Sequence, residues 1–109
     1  MAYDADVAQR LRDAFKRRTD VVEKKMFGGI AFMVSGHMCC GVLGKELMAR
    51  VGPAQYEAAL KEPYARAMDF TGKPLKGFIY VGTRGFESDD DLESWIRRCQ
   101  AFLNTLPPK

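Results

Sequence analysis

Residues Ile30 to Val51 read IAFMVSGHMCCGVLGKELMARV. Three short apolar runs, Ile30–Val34, Met38–Val42 and Leu47–Val51, are separated by the turn-forming pairs Ser35/Gly36 and Gly44/Lys45, which is the pattern of strands joined by tight hairpins. The spacing predicts an antiparallel meander. If each turn holds two residues, position 34 lies opposite 37, 32 opposite 39, 42 opposite 47 and 40 opposite 49, and each side chain falls on a defined face. One face then carries Ala31, Met33, Met38, Cys40, Val42, Leu47, Ala49 and Val51. It holds no charge and is expected to pack against helices. The reverse face carries Ile30, Phe32, Val34, His37, Cys39, Gly41, Glu46, Met48 and Arg50. Its apolar members are too many for a solvated surface, so a second copy of the chain or another partner is expected to cover it. The assignment depends on register, because a slip of one residue exchanges the two faces.

Outward from this core the elements alternate less regularly. Val22–Phe27 reads as a preceding strand that ends at Gly28/Gly29, and Arg66–Phe70 and Gly77–Val81 read as two more, linked across TGKPLK. The double glycine lacks the spacing of a phosphate loop and no helix follows it, so a tight turn or bulge is expected. Near the start, Tyr3, Val7, Leu11 and Ala14/Phe15 are spaced as one face of a helix that should fail near Arg18–Asp20. Near the end, Ser88 with Asp91 three residues later makes a capping-box variant, with Asp89 and Asp90 at the positive terminus. Leu92, Trp95/Ile96, Cys99, Phe102/Leu103 and Leu106 continue as an apolar stripe that Pro107 and Pro108 end. A short helix is expected from Pro53, with Tyr56, Ala59 and Leu60 on one side, a Glu57–Lys61 pair, and a stop before Pro63. The expectation is a single domain over residues 1–109, of α+β class: a two-layer antiparallel sheet with helices on one face.

Composition narrows the function classes. The chain has 109 residues, 47% of them hydrophobic and 28% charged, with a net charge of +3, as in ordinary soluble domains. Its apolar runs are broken well short of the roughly 20 residues that a membrane-spanning helix needs. The start, MAYDADVAQRLRD, lacks the pattern of a secretory signal. A cytoplasmic protein without membrane contact is therefore expected. Three cysteines, two of them adjacent, make a poor disulfide framework, so reduced thiols are the default. Acidic residues interrupt the basic ones, which leaves direct DNA contact through Arg10, Arg17 and Arg18 as a weak reading.

The candidates for chemistry each have a structural alternative. Cys39 would lie beside Arg50, whose charge can activate a thiol, with His37 at the strand edge; the alternative is a pair of small apolar sheet residues and a hairpin-closing histidine. No metal is expected, because Cys40 points away from His37 and Cys39 and no second Cys/His pair completes a tetrahedral site. Asp69 and Asp89–Asp91 are expected at a turn and a helix start. No cofactor or catalytic residue is assigned.

The segments KKMFGGIAFMVSGHMCCGV, LMARVGPAQYEAAL, MDFTGKPLKGFIYV and LPPK together resemble the N-terminal domain of the TfoX/Sxy family, whose named members regulate natural competence in bacteria. The likeness runs from about Lys24 to the C-terminus and does not extend to that family's C-terminal helical domain. It implies an α+β domain with an antiparallel sheet in a bacterial cytoplasm, and it brings no catalytic motif. The function expected is a non-enzymatic interaction module in transcription regulation. It is expected to be a homodimer that contacts transcription machinery or another regulator through Phe32, Val34, His37, Cys39, Met48 and Arg50. The alternative is a small-molecule binder or enzyme using His37, Cys39 and Arg50 on the open sheet face, where Gly41 leaves space.

Overall fold

Asp4 starts the first helix. Its carboxylate accepts from the backbone N–H groups of Asp6 at 2.8 Å and Val7 at 3.1 Å, which satisfies donors that a helix start leaves unpaired. The helix that follows, α1 (Ala5–Phe15), buries Val7, Ala8, Leu11 and Phe15, the stripe that the three-and-four spacing marks. In this computed structural model, residues 3–26, 28–68 and 76–107 are described. The expected strand ends at Phe27 and Phe70, the acid Asp69, most of the TGKPLK link and Pro108 lie outside them.

Six strands form one antiparallel sheet: β1 (Val21–Met26), β2 (Gly29–Val34), β3 (His37–Leu43), β4 (Glu46–Arg50), β5 (Ala65–Ala67) and β6 (Phe78–Val81). Their order is β1-β2-β3-β4-β6-β5. The first four make the predicted meander, and β6 then pairs with β4, which leaves the short β5 at the edge. Both predicted hairpins have two-residue turns. Ser35 and Gly36 have φ of 51° and 87°, and Gly44 has φ of 59°, the left-handed values that match the twist of paired strands.

The register carries one surprise. Val34 pairs with His37 and Met33 with Met38, but Phe32 pairs with Cys40 rather than Cys39, followed by Ala31 with Gly41 and Ile30 with Val42. Cys39 is the extra residue of a β-bulge. Beyond it the pairings of β3 with β4 are as expected, Cys40 with Ala49 and Val42 with Leu47. The extra residue turns the whole of β2 over relative to β3 and β4. The expected inner layer is therefore corrected: Ala31, Met33 and Met38 fall on the face away from the helices, while Ile30, Phe32, Val34 and Cys39 lie beneath the helices with Cys40, Val42, Leu47, Ala49 and Val51.

Helices cover that inner face. α2 (Tyr56–Leu60) forms after a turn over 53–55 and buries Ala59, so it starts later than the proline suggests. A single 3-10 turn, Thr83–Phe86, was not anticipated; it buries Phe86. α3 (Asp89–Leu103) is capped as predicted, Ser88 accepting from the Asp91 N–H at 3.0 Å, and it buries Leu92, Trp95, Cys99 and Leu103. Trp95 Nε1 donates to Gly85 O at 3.1 Å, fixing α3 to the 3-10 turn. The Phe15 and Phe32 rings stack with centroids 5.6 Å apart, joining α1 to β2. The architecture is α+β, two layers, with the helices on one side. Among the described residues no helix is long and apolar enough to cross a membrane.

Candidate functional site

The residues expected to share one docking face do not share it. Phe32, Val34 and Cys39 are 2% exposed or less in the helix-covered core. His37, paired with Val34, is half-buried, and its Nε2 lies 2.8 Å from Pro107 O. Met48 alone of the apolar members lies on the helix-free face. Arg50 is half-buried, with its guanidinium 5.5 Å from the Phe78 ring centre and 5.2 Å from that of Phe102. The cause is the bulge: it moves β2 and Cys39 to the other side while leaving Met48 where the pattern put it.

Two cross-strand rows make up the helix-free face. Pairings link Lys24, Ala31, Gly41, Met48, Tyr80 and Arg66 across all six strands. Beside it, Val22 pairs with Met33 and Met33 with Met38, while Phe78 pairs with Arg50, whose Nη1 donates to Met38 O at 3.4 Å. Ala31, Met38, Met48 and Tyr80 are buried together with Met68; Met33, Leu43 and Phe78 are half-buried against them. Val22 stands 58% exposed. Arg66 lies 4.5 Å from the Tyr80 ring centre and pairs with Glu46. The face is thus soft and apolar at its centre, with basic groups at both ends. Methionines adapt their shape to what they touch. Gly41 offers no pocket there, because a Cβ would meet Ile30 O at 2.3 Å and Met48 Cε at 2.9 Å.

The arginines considered for nucleic acid are built into the fold to different degrees. Arg10 donates to Glu87 O and Ser88 O, lies 3.5 Å from Asp89 and sits over the Phe86 ring. Arg18 pairs with Asp20 at 2.8 Å and donates to Gln100. Arg17 is exposed.

On the covered face the bulge produces an arrangement that alternation alone would not reveal. It turns Cys39 and Cys40 to the same side, into the core that Cys99 of α3 also joins, all three buried and free. Hydrogen bonds with the Cys40 and Cys99 thiols, helped by the positive fields of Arg18 and Arg50, outweigh burial and bring the Cys39 thiol down to about 4. The same bonds, reinforced by burial, hold Cys40 and Cys99 well above the ordinary thiol range, since losing a proton would place a second negative charge beside the first. The β3–β4 pairing stops at Cys40 and Ala49. The sequence marks Cys99 as part of the α3 apolar stripe, and its place facing the sheet is legible from the Leu92/Trp95/Cys99 spacing.

Around the fold, clefts are small. One, of about 280 Å³, lies between the 3-10 turn and α3 and is flanked by Tyr64, Arg84, Trp95 and Arg98. Another, of about 270 Å³, opens where the end of α3 meets the β2–β3 hairpin, lined by Arg18, Val34, His37, Gln100 and Leu103 among others. Among the described residues no group of three His, Cys, Asp or Glu side chains is arranged to hold a metal ion.

No curated protein matches the chain, and no solved structure does. A family model does match, covering residues 13–103, from the last turn of α1 through the six strands to the end of α3. It is that of the TfoX N-terminal domain, and the chain belongs to this family.

Proposed function

We propose that the protein is a non-enzymatic interaction module of the bacterial cytoplasm, acting in transcription regulation by docking another regulatory protein on the helix-free face of its sheet. The observation that carries this reading is the pair of cross-strand rows, where Met33, Leu43 and Phe78 stay half-buried over a buried layer of Ala31, Met38, Met48 and Tyr80, with Val22 58% exposed beside Met33 and the basic groups Lys24 and Arg66 at the ends. Partly exposed apolar side chains flanked by charge suit a protein-binding site. The partner it fits is a protein surface with an apolar ridge and an acidic rim. The DNA reading draws less support, because Arg10 and Arg18 already serve the fold through acidic and carbonyl partners.

The test is affinity capture from bacterial extract with the wild-type chain, Met33→Glu and Lys24→Glu, each checked for folding by circular dichroism. A regulator retained by the wild type should be lost with Met33→Glu, and with Lys24→Glu its recovery should fall at least several-fold and lose much of its salt dependence. Equal recovery with all three chains would sink the docking surface, and a face-dependent dimer in light scattering would replace the foreign partner with a second copy.

A further inference from the structure

The cleft between the 3-10 turn and α3 is separate from the docking surface and has no part in that reading. We propose that it binds a small aromatic monocarboxylate: Arg84 and Arg98 hold the carboxylate, and the ring lies against Tyr64 over the buried Trp95. Two independent features of the cleft point to a ligand. The first is in the backbone. Glu62, Pro63, Tyr64 and Ala65 form a tight turn closed by the Ala65 N–H on Glu62 O at 3.2 Å. Tyr64 takes its third position with φ of 68°, where glycine or asparagine is the usual occupant and a bulky side chain is strained. The Gly82 N–H donates to Tyr64 O at 2.8 Å and holds that conformation. The strained residue sets an aromatic ring, 53% exposed, in the wall of the cleft. Glycine would serve the turn better, so the ring is kept for something other than the fold.

The second feature is a pair of guanidinium groups with donors to spare. Arg84, in the 3-10 turn, is exposed and makes no hydrogen bond or ion pair among the described residues. Arg98 lies 5.0 Å from the Trp95 ring centre and its Nη2 donates to Glu62 at 3.0 Å, but its Nη1 is enclosed without an acceptor. An enclosed donor left unpaired is costly. The Arg98 side chain is itself only half-buried, so a small turn of the guanidinium presents that donor to an incoming oxygen. A planar carboxylate matches the guanidinium fork, accepting two parallel bonds. Phosphate suits the cleft less well, because Glu62 and Asp91 also line it and their charges oppose a dianion more than a monoanion. A volume of about 280 Å³ lies at the small end of ligand pockets, which begin near about 300 Å³, and suits one ring with a short acid arm.

Trp95 is the only tryptophan in the chain, so tryptophan emission reads this cleft directly. The test titrates the folded chain with phenylacetate and follows that emission. The expected result is a saturable change at millimolar concentration or below. Arg84→Gln alters an exposed side chain and spares the core. It should weaken phenylacetate about tenfold or more, the contribution of a hydrogen bond to a charged group, and leave the weaker binding of uncharged 2-phenylethanol unchanged. Tyr64→Gly removes the ring and the backbone strain together, so it should weaken both ligands several-fold without lowering the thermal midpoint. The absence of a saturable change, equal affinity for phenylacetate and 2-phenylethanol, inorganic phosphate bound as tightly as phenylacetate, wild-type affinity in Arg84→Gln, or a lowered midpoint in Tyr64→Gly would each overturn the assignment.

Discussion

Val22 and Phe32 are both large apolar residues on adjacent strands, and their environments differ as far as two such residues can. Phe32 is 1% exposed and stacked on Phe15, whereas Val22 is 58% exposed at the sheet edge. Phe32→Ala should lower the unfolding free energy by about 3–5 kcal/mol, and Val22→Ala should change it by no more than about 0.5 kcal/mol. Urea denaturation of both variants checks this, and equal effects would mean that β2 is not turned toward the helices. Alternation in a sequence shows which residues share a face, but not which of the two faces is inward. Side-chain size carried a further hint here. The set Ile30, Phe32 and Val34 fills more volume than Ala31 and Met33, and a core under helices must be filled to close-packed density. Gly41 teaches the opposite caution, since what reads as spare room in the sequence is occupied by the Ile30 carbonyl.

Elements were legible where their signals are local. The Ser88 cap and the α3 stripe both form where the sequence puts them, because a cap needs only residues three apart and a stripe only a fixed period. Ser88→Ala removes the bond to the Asp91 N–H and should destabilise the protein by about 1 kcal/mol. A thermal shift of a few degrees downward, without change in the far-ultraviolet spectrum at low temperature, is the expected reading; an unchanged midpoint would show that water caps α3 equally well. The bulge at Cys39 was not legible, because this kind of insertion needs no glycine and leaves the hairpin turn unaltered. A two-residue turn determines only the pairs nearest to it, Val34 with His37 and Met33 with Met38. Pairing farther along follows the packing of β2 under α1 and α3, which is tertiary. The insertion of β6 between β4 and β5 is equally nonlocal. Composition shows that two further strands exist, but not which of them joins β4.

At the scale of the whole molecule, the shifted thiols of the covered face couple global unfolding to pH. The Cys39 thiol lies near 4 in the fold and returns to about 8.5 when the chain unfolds. Between these values the unfolded chain binds a proton that the folded one does not, so stability rises with pH, by up to about 1.4 kcal/mol per unit. As pH falls through the folded value, this contribution is lost. Cys40 and Cys99 are shifted upward and work in reverse: their stabilisation is present below the ordinary thiol range and disappears as pH climbs through their folded values. Stability from the cluster should therefore be greatest near the ordinary thiol range and fall on both sides. Urea unfolding of the reduced protein at several pH values between about 5.5 and 7.5 should show the midpoint rising with pH, and Cys39→Ser should flatten that rise. A wild-type midpoint constant over this interval would mean that the cluster keeps all its protons. The three thiols would then join the core as neutral apolar groups.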